Sequence, residues 1–221
     1  MAIIRKGQPG ITRILPHWQN RRFAVPEAIG PITALLSGDS WTNWAQDEYP
    51  NYLPTGARIS WNNEGIAATP LATVSGGSSL QSRIASELST HNPDVTAICS
   101  SGINDIAAGT TAAQLLTAVQ AIQGSIESAN SKAVWVGVPI VSTWTASQIS
   151  EALTHNDNLA EYCADNGIPF VPLVGLIGDE TEIFTRYQYD VSHLNAAGCK
   201  VLAGAVMGAI KATKYRRAGA V

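Results

Sequence analysis

Ile32-Thr33-Ala34-Leu35-Leu36-Ser37-Gly38-Asp39-Ser40 is a short apolar run that stops at a glycine followed by two polar residues, the pattern of a buried strand ending in a sharp turn. Comparable runs recur at Ala57 to Asn62, Asp94 to Ser100, Ala133 to Pro139 and Pro169 to Leu173. Brief apolar strands alternating with helical patterns specify a parallel sheet buried on both faces. Between the third and fourth runs, Leu115, Val119, Ile122 and Ile126 recur at steps of four, three and four, so this helix turns one apolar face to the sheet. Ser78-Ser79-Leu80-Gln81, Thr111-Ala112-Ala113-Gln114 and Thr145-Ala146-Ser147-Gln148 each fit a capping box, in which a hydroxyl and a later side chain satisfy each other's backbone N–H. A last helix is expected from Asn195 through Val201, Leu202, Val206 and Ile210.

A chain of 221 residues holds one good-sized core, so we read a single domain over residues 31 to 212. An extended basic arm is expected at 1 to 30, where Pro9, Pro16 and Pro26 interrupt any periodicity, and a basic tail at 213 to 221. With 45% hydrophobic residues, 14% charged residues and a net charge of -3, the composition is that of a globular protein and excludes a disordered chain. The charge is unevenly placed: Arg5, Lys6, Arg13, Arg21 and Arg22 precede every acidic residue, and Lys211, Lys214, Arg216 and Arg217 follow them all. Solvated ends are the plain reading of this pattern; a surface for docking on a larger protein assembly is the sharper one. Nucleic acid is not an expected partner. Apolar runs such as Ala133 to Val141 are short for a bilayer, and the N-terminus lacks the features of a signal peptide. The expectation is therefore a protein without a membrane span, cytoplasmic or, if phage-encoded, virion-associated. Cys99, Cys163 and Cys199 are odd in number and widely spaced, which predicts free, buried thiols.

Four segments fall where chemistry is expected. In open parallel sheets, ligands bind beyond the carboxyl ends of the strands, and Gly38-Asp39-Ser40 sits at such an end. Asn62-Asn63-Glu64-Gly65-Ile66 follows the second strand and Ser101-Gly102-Ile103-Asn104-Asp105-Ile106 the third. Asp190-Val191-Ser192-His193-Leu194-Asn195 precedes the last helix. Singly, each has an ordinary reading: Asn104-Asp105 as an Asx turn, His193 as a helix-entry residue. A serine becomes nucleophilic only beside an imidazole that takes its proton and a third group that orients that imidazole, and these segments contain all three residue types. No Gly-x-Ser-x-Gly elbow and no His-Glu-x-x-His is present, and the Ser75-Gly76-Gly77-Ser78-Ser79 loop lacks the lysine of a phosphate-binding loop.

Together and in this order, the four segments resemble the sequence blocks of the SGNH hydrolases, the GDSL-type esterases and lipases, over about Ile32 to Ile210. The resemblance implies a three-layer α/β/α sandwich with a central parallel sheet of about five strands, a flavodoxin-like SGNH hydrolase fold. It casts Ser40 as nucleophile, His193 as general base and acid, and Asp190 as the group that orients His193. It assigns the oxyanion hole to the backbone N–H groups of Ser40 and Gly65 and to the side-chain amide of Asn104. No cofactor and no metal are implied. The chain departs from the commonest pattern at Trp41, which follows the serine where a small or aliphatic residue is usual, and at Ala67-Ala68, where a second glycine is frequent. His17, His91 and His155 have no such company and are expected at the surface or in packing; Asp179, Glu180 and Glu182 read as a solvated loop.

The substrate implied is an ester. Trp41, Trp44 and Trp144 follow strand ends, where an indole can stack on a sugar ring, so an O-acetylated carbohydrate is the favoured substrate, with Trp41 expected to carry substrate choice. The alternatives are a lipase or thioesterase acting on longer acyl chains, and a non-catalytic module that grips glycan or a partner with the same fold.

Overall fold

The computed structural model describes residues 31–44, 47–54, 58–73, 78–99 and 101–215. The basic arm at 1 to 30 and residues 216–221 of the tail lie outside the described residues. Five strands, β1 (Ile32–Gly38), β2 (Ile59–Asn63), β3 (Val95–Cys99), β4 (Lys132–Val136) and β5 (Phe170–Val171), form one parallel sheet in the order β2-β1-β3-β4-β5. The helices are α1 (Leu80–His91), α2 (Ile103–Ala107), α3 (Ala112–Ser128), α4 (Ala146–Asp165) and α5 (Ala196–Tyr215).

Side chains alternate along each central strand, and both sets are buried. Ala34, Leu36, Val95, Ala97, Val134 and Val136 face α5, where they meet Leu202, Val206 and Ile210. Leu35, Ile98, Ala133 and Trp135 face the other way, toward α1, α3 and α4. Leu115, Val119, Ile122 and Ile126 are all fully buried, as their spacing predicts. This is the expected three-layer sandwich. β5 is two residues long, shorter than the expected Pro169 to Leu173, and β2 begins two residues later than expected.

Two capping boxes stand as predicted, Thr111 with Gln114 and Thr145 with Gln148. The third is displaced by one residue. Ser79 caps α1, accepting from the Ser82 N–H at 3.2 Å while Ser82 Oγ accepts from the Ser79 N–H at 3.0 Å. A second serine in register completes the box, and Gln81 Oε1 instead accepts from the Thr73 N–H. The three cysteines are buried and, among the described residues, form no disulfide. By length and composition Ala196–Thr213 of α5 could cross a membrane, although its glycines and lysines break up any continuous apolar run; here its apolar face packs on the sheet.

The chain passes from β1 to β2 on one side and then returns to β3 on the other, so the strand order reverses between β1 and β3. A crevice opens at such a switch point, beyond the carboxyl ends. The loops after β1 and β3 carry Ser40 and Asn104 into it.

Candidate active site

Gly38 ends β1 in a conformation with φ +156, and a Cβ there would stand 2.6 Å from both Cys99 O and Thr42 Oγ1. Only glycine lets the chain leave the strand so close to β3. The turn that follows is self-contained: Asp39 O accepts from the Thr42 and Asn43 N–H groups, and buried Asp39 Oδ1 accepts from the Trp41 N–H at 3.0 Å. It fixes Ser40 at the sheet edge.

The loop before α5 is held by one carboxylate. Asp190 Oδ1 accepts from the N–H groups of Ser192 and His193, each at 2.8 Å, and Asp190 Oδ2 lies 2.9 Å from His193 Nδ1. Burial pulls this carboxyl upward, but the two N–H groups and the imidazole outweigh it and hold the carboxyl below its usual range. A carboxylate only accepts, so Nδ1 carries the ring proton and Nε2 is left to accept. His193 Nε2 is 3.0 Å from Ser40 Oγ. Ser40, His193 and Asp190, far apart in sequence, thus form one hydrogen-bonded line.

Trp44 stacks on the His193 ring with centroids 3.9 Å apart and planes 10° apart, and Tyr189 meets Trp44 edge-on at 5.0 Å. A pocket of about 350 Å³ opens beside them, its wall including Ser40, Trp44, Ala68, Asn104, Val141 and Trp144. Asn104 Nδ2 donates to Thr69 O at 3.1 Å and reaches Asp39 Oδ2 at 3.4 Å, a long bond that leaves one amide hydrogen weakly held. Asp105 anchors the same wall from behind by accepting from the Leu71 and Ala72 N–H groups; burial raises its carboxyl despite those bonds.

Two sequence expectations need correction. Gly65 is not a pocket residue: it is buried, and its N–H donates to Asn63 Oδ1 at 3.0 Å. Its lack of a side chain serves packing, since a Cβ would stand 2.6 Å from Thr42 Cβ. From this loop Ala67 and Ala68 line the pocket, Ala68 at φ 59 in a turn closed by the Thr69 N–H to Ile66 O bond. Among the described residues, no hydrogen bond uses the Ser40 or the Ala68 N–H. The left-handed φ was foreshadowed by the glycine usual at this place. Trp41 is likewise not a pocket residue. It is 5% exposed, packed in the core, and its Nε1–H donates to Ser192 O at 2.8 Å. Trp44 and Trp144 line the pocket.

Sequence reasoning missed a buried ion pair behind the site. Arg83 on α1 pairs with Glu87, which accepts from Ser37 Oγ at 2.7 Å. The guanidinium also donates to Gly38 O at 2.8 Å and Glu64 O at 2.7 Å, bolting the loops after β1 and β2 together. Burial lowers its pKa. An Arg and Glu four apart on a helix announce a pair, but not what it faces.

A parallel sandwich with serine, histidine and aspartate in line at its switch point defines a hydrolase of the SGNH class. The sequence model of the GDSL-like lipase/acylhydrolase family matches residues 32–201, and the chain belongs to that family; it is a carboxylic ester hydrolase. Solved structures share the fold at low identity. An acetylxylan esterase from Geobacillus stearothermophilus is 15% identical with a TM-score of 0.67, over 83% of this chain and 96% of that one. The aryl esterase of M. smegmatis is 16% identical with a TM-score of 0.69, over 82% and 99%. A GDSL-like lipase from Bacteroides thetaiotaomicron is 15% identical with a TM-score of 0.66, over 82% and 89%. No curated protein sequence matches the chain.

Proposed function

We propose that this chain is a serine esterase that removes short acyl groups, acetyl above all, from carbohydrate. The observation that carries the reading is the line from Ser40 Oγ through His193 to Asp190, at 3.0 and 2.9 Å. Ser40 Oγ attacks the acyl carbon as its proton passes to His193 Nε2, and Asp190 stabilises the imidazolium that forms. The carbonyl oxygen becomes an oxyanion, received by the N–H groups of Ser40 and Ala68 and by the Asn104 amide, whose long bond to Asp39 yields to a stronger acceptor. The alcohol leaves with the proton from His193. Water, activated in turn by His193, attacks the acyl-enzyme and frees the acid and Ser40.

A pocket of about 350 Å³ is of a size for a short acyl group beside part of a sugar, which supports this reading. Trp144 supplies the stacking face. Trp44 is less free, with His193 against one face and Tyr189 at its edge. Likeness to an acetylxylan esterase agrees with this reading. The basic ends add a separate proposal, docking on a larger assembly such as a virion. β1 starts and α5 finishes at the sheet edge opposite Ser40, so docking there leaves the crevice facing outward.

A turnover screen across acetylated sugars, short esters, thioesters and long-chain esters tests the reading, with Ser40→Ala as control and fluorophosphonate labelling as a count of sites. Acetate release from acetylated sugar that vanishes in Ser40→Ala is the expected result. A preference for long chains would refute the substrate assignment, and a folded protein without Ser40-dependent label would move the chain to the binding-module reading.

A further inference from the structure

The bond from Trp41 to Ser192 joins the residue after Ser40 to the residue before His193, across 151 positions of sequence. The loop carrying His193 is otherwise tied mostly to itself. Tyr189 N–H donates to His193 O at 2.9 Å, and Asp190 gathers the Ser192 and His193 N–H groups. Among the described residues, two hydrogen bonds connect positions 189 to 193 with the turn after β1: His193 Nε2 to Ser40 Oγ at 3.0 Å, and the Trp41 indole to Ser192 O at 2.8 Å. The first cannot last through a catalytic cycle, because Ser40 Oγ loses its proton and becomes an ester oxygen. The second involves no reacting atom.

We infer that Trp41 is a positioning residue, whose indole N–H keeps the His193 loop in register with Ser40 while Ser40 is acylated, so that His193 can activate the deacylating water. The inference rests on the esterase reading and adds a step-specific role. In the free enzyme the Ser40 to His193 bond and the Trp41 tether both align the base. In the acyl-enzyme the tether and the Trp44 stack remain, and the stack allows the ring to slide in its plane. Displacement of a catalytic group by about 1 Å costs on the order of a hundredfold in rate, so a single well-directed bond is enough to matter. The indole is itself held firmly. Its ring packs in the core cluster with Leu194, directly after the catalytic histidine, and the Trp41 backbone N–H is fixed by Asp39.

Trp41→Phe keeps an aromatic ring in the core and deletes the donor. Pre-steady-state hydrolysis of an activated acetate ester then separates the two chemical steps, with sites counted by fluorophosphonate titration. The expected result is a burst of about one equivalent of alcohol per site, with kcat and KM falling together by about 5- to 50-fold and kcat/KM changing by less than about threefold. A variant that only damaged the fold would lose titratable sites and keep its kcat per site. Full kcat per site in Trp41→Phe, or an equal loss in acylation and deacylation, overturns the inference and leaves the esterase reading intact; turnover that survives Ser40→Ala overturns both. If Trp41→Phe does not fold, the wild-type protein supplies the test: the Trp41 indole proton, followed by nitrogen-15 NMR, is expected to keep its protection from solvent exchange after Ser40 is phosphonylated. Loss of protection on phosphonylation refutes the tether.

Discussion

His155 lies on α4, is 0% exposed, and donates from Nε2 to Ser101 O at 2.7 Å. Ser101 opens the loop that carries Asn104. A carbonyl only accepts, so the ring proton sits on Nε2, and Nδ1 is buried with no partner among the described residues. Protonating Nδ1 would place a charge in the core with nothing to receive it, and burial, partly offset by the Ser101 bond, pushes the pKa down from 6.5 to about 4. As pH falls, the unfolded chain takes up this proton near 6.5 and the folded chain refuses it until about 4. Stability is therefore lost progressively across that window and not further below it. At about 1.36 kcal/mol per pH unit the full effect is about 3 kcal/mol, of which about 2 kcal/mol is already lost at pH 5. His155→Gln places an amide N–H where Nε2 stood and removes the titration. Urea unfolding at pH 7.5 and pH 5 should show the wild type losing about 2 kcal/mol more than this variant. Parallel losses in the two proteins, or a His155 resonance titrating near 6.5 in the folded state, would refute the reasoning.

Two further outcomes are expected. Arg83→Met strands the buried Glu87 carboxylate and should cost about 3 to 5 kcal/mol in urea unfolding, partly recovered when Glu87→Leu is added; a loss below about 1 kcal/mol would show that the pair is not isolated from water. Removing residues 1 to 26 should weaken salt-sensitive association with acidic protein surfaces, measured as binding across ionic strength, and unchanged binding removes the docking proposal.

The parallel sheet was legible because its central strands are buried on both faces and read as apolar runs: β1 is bounded in the structure as its residues predict. β5 was overestimated for the same reason, since Pro169 to Leu173 is apolar for packing along most of its length but pairs with β4 at only two residues. Ser40, His193 and Asp190 could be singled out because the proposed chemistry requires those residue types, and the structure brings them into one hydrogen-bonded line. The donors proposed for the oxyanion could not, because a backbone N–H belongs to every residue but proline, and only the fold reveals which one is spent. Gly65 looked like the open position for lack of a side chain, but that lack serves the close approach of Thr42. Trp41 looked like a pocket residue because it adjoins Ser40; neighbours in a tight turn point in different directions, and the indole points into the core.

The two places where this chain departs from the commonest SGNH pattern have different physical consequences. Alanine at position 68 holds φ 59, a conformation that costs a non-glycine residue about 1 kcal/mol, and it persists because Ile66 O and the Thr69 N–H close the turn around it. Ala68 lines the pocket, and its methyl group leaves the backbone N–H in place, so the proposed oxyanion contact survives the change. Trp41 adds no pocket wall. It replaces what a small residue could provide only by packing with a directed bond to the loop of the base, and so couples the nucleophile and base segments through a contact that no step of the reaction consumes. On the proposed mechanism, one departure sits in the pocket wall and the other bears on what remains aligned once Ser40 is occupied. The fold supplies the crevice; these two residues adapt it.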